Sequence, residues 1–153
     1  MVKAYAALDA GKNLTPYEYE AQILNANEVR INVQSCGICH SDISAIDNAW
    51  GKSEYPLVAG HEVIGRIIEI GSDVSLHKIG DRVGLGWHSG YCNTCEYCKA
   101  DDHNFCGKTN KTIFGQYGGF SEEVTADEVS VIPIPTELNH NNAGPLLCGG
   151  ITV

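Results

Sequence analysis

The sequence predicts a mainly β domain with a few short helices and one loop that needs a metal ion to hold it. Three observations lead there. Short apolar–polar alternations bounded by Gly and Pro recur along the chain, no helical period persists, and four cysteines crowd a polar stretch with no core of its own.

Residues 2–7 and 17–24 are strand-like and are separated by a loop holding Gly11 and Pro16. Residues 28–34 alternate cleanly, with Val29, Ile31 and Val33 apolar, which marks a half-buried strand that delivers the chain to Cys36. A short helix is expected from Ser41 to about Asn48, followed by an irregular stretch punctuated by Gly51, Pro56 and Gly60. Residues 63–70 form a strand interrupted by Gly65, and 81–85 a further strand after a Gly80-Asp81 turn. From 86 to 111 no period is usable. Residues 120–126 and 128–134 resume strand character before Pro133 and Pro135 close the β part. Many short strands with Gly turns point to a Greek-key barrel or a related β-rich domain, with no internal repeat or low-complexity linker.

At 153 residues one domain is expected, able to bury roughly 70% of its unfolded surface. Hydrophobic residues make up 43% and charged residues 19%, a composition that argues against disorder. The formal charge of −9, without any Lys/Arg cluster, excludes nucleic acid as an expected partner. Neither a secretion signal nor a 20-residue apolar run is legible, so a cytoplasmic, membrane-free protein is expected. In a reducing compartment seven cysteines point to metal or catalytic chemistry rather than disulfides.

Cys92, Cys95, Cys98 and Cys106 are spaced C-x2-C-x2-C-x7-C, and four thiolates close a tetrahedral zinc site with no position left for substrate. An iron–sulfur cluster is the competing reading. There, however, the fourth cysteine follows after three residues and precedes Pro, whereas Cys106 follows after seven and precedes Gly107. A structural zinc would replace the missing core of the loop.

Cys36, Cys39 and Cys148 remain, with His61 in Gly60-His61-Glu62 and His40 beside Cys39. Two cysteines and one histidine make a catalytic zinc site with an open position, but spacing does not choose among the three cysteines. The C-x2-C pair with His61 is the simplest choice, and buried thiols beside a core histidine are the bland one.

Here the residues resemble a known family. Cys36-Gly-Ile-Cys39-His40-Ser41-Asp42, Gly60-His61-Glu62-Val63-Ile64-Gly65, Gly80-Asp81-Arg82-Val83, the four-cysteine lobe and Pro145-Leu-Leu-Cys148-Gly-Gly-Ile-Thr152 are similar, in order, to zinc-dependent medium-chain alcohol dehydrogenases of the cinnamyl alcohol dehydrogenase-like branch. The likeness runs from the first strand to the last residue.

The resemblance implies a GroES-like, partly open β-barrel over residues 1–153, with a zinc lobe at about 86–111 and the cofactor-binding domain outside this chain. It implies Cys39, His61 and Cys148 as catalytic zinc ligands, leaving Cys36 aside, and Cys92, Cys95, Cys98 and Cys106 as structural ligands, so two zinc ions per chain. Ser41 would take part in proton relay and Asp42 would orient His61. Glu62 would stand beside the metal, and His40 would contact the pyrophosphate of NAD or NADP. Trp50 and Trp87 would line the substrate pocket. Ser44 departs from the pattern, standing where many relatives carry the histidine that ends the relay.

The implied activity interconverts primary alcohols and aldehydes by hydride transfer with NAD(P), the intact parent pairing as a homodimer or homotetramer. A polyol or formaldehyde-type dehydrogenase would carry the same motifs. No G-x-G-x-x-G unit occurs in these residues, Gly149-Gly150 lacking a third glycine, so little or no turnover is expected of the isolated chain. A stand-alone zinc-binding interaction module is the alternative from another class.

Overall fold

A computed structural model describes residues 1–153, His140 by its backbone only. Five antiparallel strands form its main sheet in the order β8-β3-β4-β5-β9. These are β3 (Glu28–Cys36), β4 (Val63–Ile70), β5 (Arg82–Leu85), β8 (Glu123–Asp127) and β9 (Val131–Pro133). A hairpin of β1 (Val2–Ala6) and β2 (Thr15–Tyr19) continues the curl, because the Tyr5 N–H donates to the Phe120 carbonyl at 2.8 Å and the Glu122 N–H to that of Lys3 at 2.9 Å. The sheet thereby rolls into a partly open barrel, the expected mainly β fold.

Its core is the inward face of the alternating strands: Val29, Ile31, Val63, Ile67, Val83, Leu85, Val124, Ala126 and Val131 are all buried. Arg30 departs from the expected alternation, since it is also buried. Its guanidinium donates to Glu69 at 2.7 Å and to the Gln22 carbonyl at 2.6 Å, so the outer face of β3 is covered by a charged clasp rather than by water. The register of β3 against β4 shifts between Val33 and Ser35, opposite Gly65, where the sequence marked an interruption.

Three boundaries differ from expectation. The strand placed at 17–24 starts earlier and ends at Tyr19; beyond it Gln22 bonds through its carbonyl to Arg30 and through its side chain to Thr125, which replaces ladder pairing. The strand placed at 120–126 begins only at Glu123, because Gly118, Gly119 and Phe120 donate their N–H groups to Val58, Gly60 and Ala59. The strand placed at 128–134 is a 3-10 turn over Glu128–Ser130 before β9. There the Glu128 carboxylate accepts from the Ser75 and Leu76 N–H groups and draws the chain aside.

Helices are short: α1 (His40–Ile46), α2 (Glu96–Lys99), α3 (His140–Ala143) and α4 (Gly149–Thr152). None is long and apolar enough to cross a membrane. The ribbon β6 (His88–Gly90) with β7 (Asn110–Lys111) brackets the cysteine loop, where the sequence showed no periodicity. Ile31 is fully buried at the centre of the core, so Ile31→Ala should cost about 2–5 kcal/mol in urea unfolding with an unchanged m-value; a loss below about 1 kcal/mol would contradict this packing.

Candidate metal centres

The open constellation is built around one carboxylate. Asp42 lies in the first turn of α1, is buried, and accepts three hydrogen bonds: from the Cys39 N–H on Oδ2 at 2.9 Å, and from the Gly60 N–H and His61 Nδ1 on Oδ1, each at 2.9 Å. A carboxylate only accepts, so His61 carries its proton on Nδ1 and turns the Nε2 lone pair outward. That nitrogen lies 3.3 Å from Cys148 Sγ, and Cys148 Sγ lies 3.7 Å from Cys39 Sγ. Two sulfurs on one tetrahedral zinc stand about 3.8 Å apart if each bond is about 2.3 Å. The donor set therefore fits zinc.

Glu62 joins the group through a carboxylate oxygen, all four ligand atoms lying within 4.8 Å of one another, and its Oε2 is buried without a hydrogen-bond partner among the described residues. Such an orphan acceptor beside two thiols fits a nearby cation. Protonation differs from group to group. The Ser41 N–H outweighs burial and, with the Ser41 hydroxyl, holds the Cys39 thiol below its ordinary value, while burial and the neighbouring Cys39 push Cys148 up to about 11. Burial pulls His61 down, but the hydrogen bond and charge of Asp42 prevail and its pKa is raised. One thiolate forms readily, and a cation is what allows the second. Cys36 stands apart: it packs against the barrel core, donates to the Gly37 carbonyl, and burial pushes it up to about 12.

In the lobe, Cys92, Cys95, Cys98 and Cys106 converge to the same spacing. Cys92 lies 3.9 Å from Cys98 and 3.6 Å from Cys106, and Cys95 lies 3.5 Å from Cys98. The Cys95 side chain caps α2 by accepting from the Cys98 N–H, so the helix is seeded by a thiol. Backbone and side-chain hydrogen bonds from Thr94 pull Cys92 down to about 5, whereas burial pushes Cys98 up to about 12. All seven cysteines are free thiols.

Residues 25–136 match the family model of the alcohol dehydrogenase GroES-like domain. The chain belongs to that family. An aldehyde reductase of Synechocystis sp. is 55% identical over 153 residues, which cover 100% of this chain and 46% of the relative. Among solved structures, a cinnamyl alcohol dehydrogenase from Sorghum bicolor superposes with a TM-score of 0.91 at 38% identity, over 99% of this chain and 45% of that one. CAD from Helicobacter pylori, complexed with NADP(H), superposes with a TM-score of 0.90 at 32% identity, over 99% and 46%. The chain thus spans somewhat less than half the length of these relatives.

In this GroES-like domain the open constellation meets, at Cys148, a cleft of about 490 Å³ that is also lined by Ser41, Trp50, Trp87 and Leu147 among others. Trp87 meets the His61 ring edge-on with centroids 5.0 Å apart, and Trp50 and Phe114 stand edge-on to Trp87 at 6.0 and 6.1 Å. A larger groove of about 850 Å³, beside Tyr5, Tyr17 and Phe120, holds none of the ligand atoms, so chemistry rather than size selects the smaller cleft. His40 is exposed at the start of α1 and lies outside the cleft. Phe114 had no signal in the sequence, and Leu147 showed only as part of the Pro145-Leu-Leu-Cys148 run that carries the resemblance.

Leu147 matters because it seats Cys148. A Cβ on Gly86 would lie 2.8 Å from the Leu147 carbonyl oxygen, a backbone atom, whereas a Cβ on Gly84 would meet only side-chain ends of Leu147 and Ile134, at 2.7 and 3.0 Å. Gly86→Ala should therefore displace Cys148 and weaken zinc or cobalt binding at the open site by on the order of tenfold. Gly84→Ala should do much less. Chelator competition measures both, and equal effects would contradict the close backbone approach.

Proposed function

We propose that this chain is the catalytic domain of a zinc-dependent oxidoreductase whose intact parent interconverts primary alcohols and aldehydes by hydride transfer with NAD or NADP. The convergence of Cys39, His61 and Cys148 beside an open cleft, three ligands with room for a fourth, carries this reading. A zinc ion held there supplies Lewis acidity to the substrate oxygen. The remaining work falls to the chain's own side chains. Asp42 holds His61 in the tautomer that ligates and fixes the Cys39 end of α1. Ser41, on the cleft wall, accepts the alcohol proton or returns it to the aldehyde oxygen. With Ser44 in place of a terminal histidine, that proton leaves through water or the cofactor ribose.

Trp50 and Trp87 wall the cleft and favour unbranched, primary substrates over bulky ketones. His40, exposed next to Cys39, would contact the cofactor pyrophosphate in the parent. Cys92, Cys95, Cys98 and Cys106 hold a second, structural zinc with no open position. A reducing, cytoplasmic compartment suits the seven free thiols, and a homodimer or homotetramer is proposed for the parent. The competing interaction module needs only the lobe ion; the second converging group favours the enzyme.

Metal analysis tests the assignment. The wild-type chain should hold two zinc ions, Cys39→Ser should lose one and spare the lobe, Cys95→Ser should lose the other, and Cys36→Ser should keep both. Loss of the first zinc from Cys36→Ser rather than Cys39→Ser would overturn the ligand set. In the intact parent, Ser41→Ala should lower kcat by about 10²–10⁴-fold. The isolated 153 residues should show little or no NAD(P)-dependent turnover, and turnover comparable to that of intact relatives would contradict the division of labour.

A further inference from the structure

The lobe has little apolar packing to shape it. Tyr97 and Phe105 are 44% and 64% exposed and pack ring against ring, and the Tyr91 ring meets two imidazoles, His88 and His103. Something else must set the loop's path. At the end of β8 the Asp127 side chain is buried beneath the loop and no Lys or Arg pairs with it among the described residues. It accepts from the Tyr91 N–H at 3.1 Å and from Asn93 Nδ2 at 3.3 Å on Oδ2, and from Asn27 Nδ2 on Oδ1. An unpaired carboxylate out of water is costly unless its lone pairs are filled, and here three N–H donors fill them.

Two of those donors, Tyr91 and Asn93, are the residues on either side of Cys92. Asn93 is held at a φ of 54°, in the left-handed region, so its side-chain bond to Asp127 anchors a backbone conformation that is unfavourable on its own. A Cβ on Gly90 would come within 3.0 Å of Asp127 Oδ2, so the loop approaches this carboxylate as closely as glycine allows. Cys92 in turn lies 3.9 Å from Cys98 and 3.6 Å from Cys106, and it accepts from the Cys95 N–H at 3.4 Å.

We propose that Asp127 is a positioning residue for the four-cysteine metal site, clamping Tyr91 and Asn93 so that Cys92 is aimed at the other three thiols before an ion binds. The inference rests on the reading of the loop as a zinc site. Without the clamp, part of the binding free energy goes into ordering the loop, and affinity falls.

The test uses the zinc-loaded chain in a Cys39→Ser background, where the lobe holds the remaining ion, and follows zinc transfer to a chromogenic chelator. Asp127→Ala should weaken lobe zinc by tenfold or more, the range seen when groups that orient ligands are removed. Asp127→Asn, whose amide oxygen still accepts the Tyr91 N–H, should restore most of the affinity. Asn93→Ala, which leaves the barrel's own bonds intact, should weaken it several-fold and carries the test if Asp127→Ala does not fold. With Cys39 present, zinc at the open site should be unchanged in both variants. Wild-type lobe affinity in Asp127→Ala and Asn93→Ala would overturn the proposal, as would equal weakening at both sites, which marks general destabilisation. A wild-type lobe that holds no zinc would overturn the reading of the loop itself.

Discussion

One buried carboxylate organises the open site. Asp42 accepts from Cys39, Gly60 and His61 at 2.9 Å each, and these donors lie on two segments that meet only because β3 and β4 pair. The pairing ends at Cys36 opposite Val63, so the barrel edge itself sets the start of α1 beside the Gly60-His61-Glu62 turn. Removing an acceptor there would leave the Gly60 N–H and the His61 ring buried and unpaired, each costing about 1–3 kcal/mol, and the half-buried Cys39 N–H without its partner. The ligand geometry is thus tied to the fold through a group that is not itself one of the three proposed ligands.

The third proposed ligand arrives from far away. Cys148 stands 109 residues beyond Cys39, and it reaches the site on a short turn laid against β5. Long-range closure of this kind leaves no mark in local spacing. That is why the sequence alone left Cys36 as a candidate, and why only the resemblance favoured Cys148. The lobe is the opposite case. Its four cysteines lie within one loop, and their spacing announced the group directly, although not the β6–β7 ribbon that brackets it.

The fold was legible where side chains alternate against the core, as in β3 through β5. It was misread where side chains compete with the ladder: Gln22 bonded to Arg30 and Thr125 ends β2 early, and Glu128 bonded to Ser75 and Leu76 turns residues that look like strand. Arg30 itself, buried by Glu69 and the Gln22 carbonyl, could not be told from an ordinary outward-facing residue. Phe114 and Asp127 were invisible for a related reason, since each gains its place from contacts formed only after the barrel closes.

The two groups of thiols also divide the chemistry. On the proposed reading, the four lobe sulfurs would leave no position for substrate, whereas two sulfurs and an imidazole at the open site would leave one side for the tryptophan-walled cleft. Anomalous diffraction at the zinc edge from crystals of the zinc-loaded chain tests this account most directly. It predicts two peaks, one among Cys92, Cys95, Cys98 and Cys106, the other bonded to Cys39, His61 and Cys148 with Cys36 out of reach. A single peak in the lobe, or a second peak that takes Cys36 in place of Cys148, would contradict it.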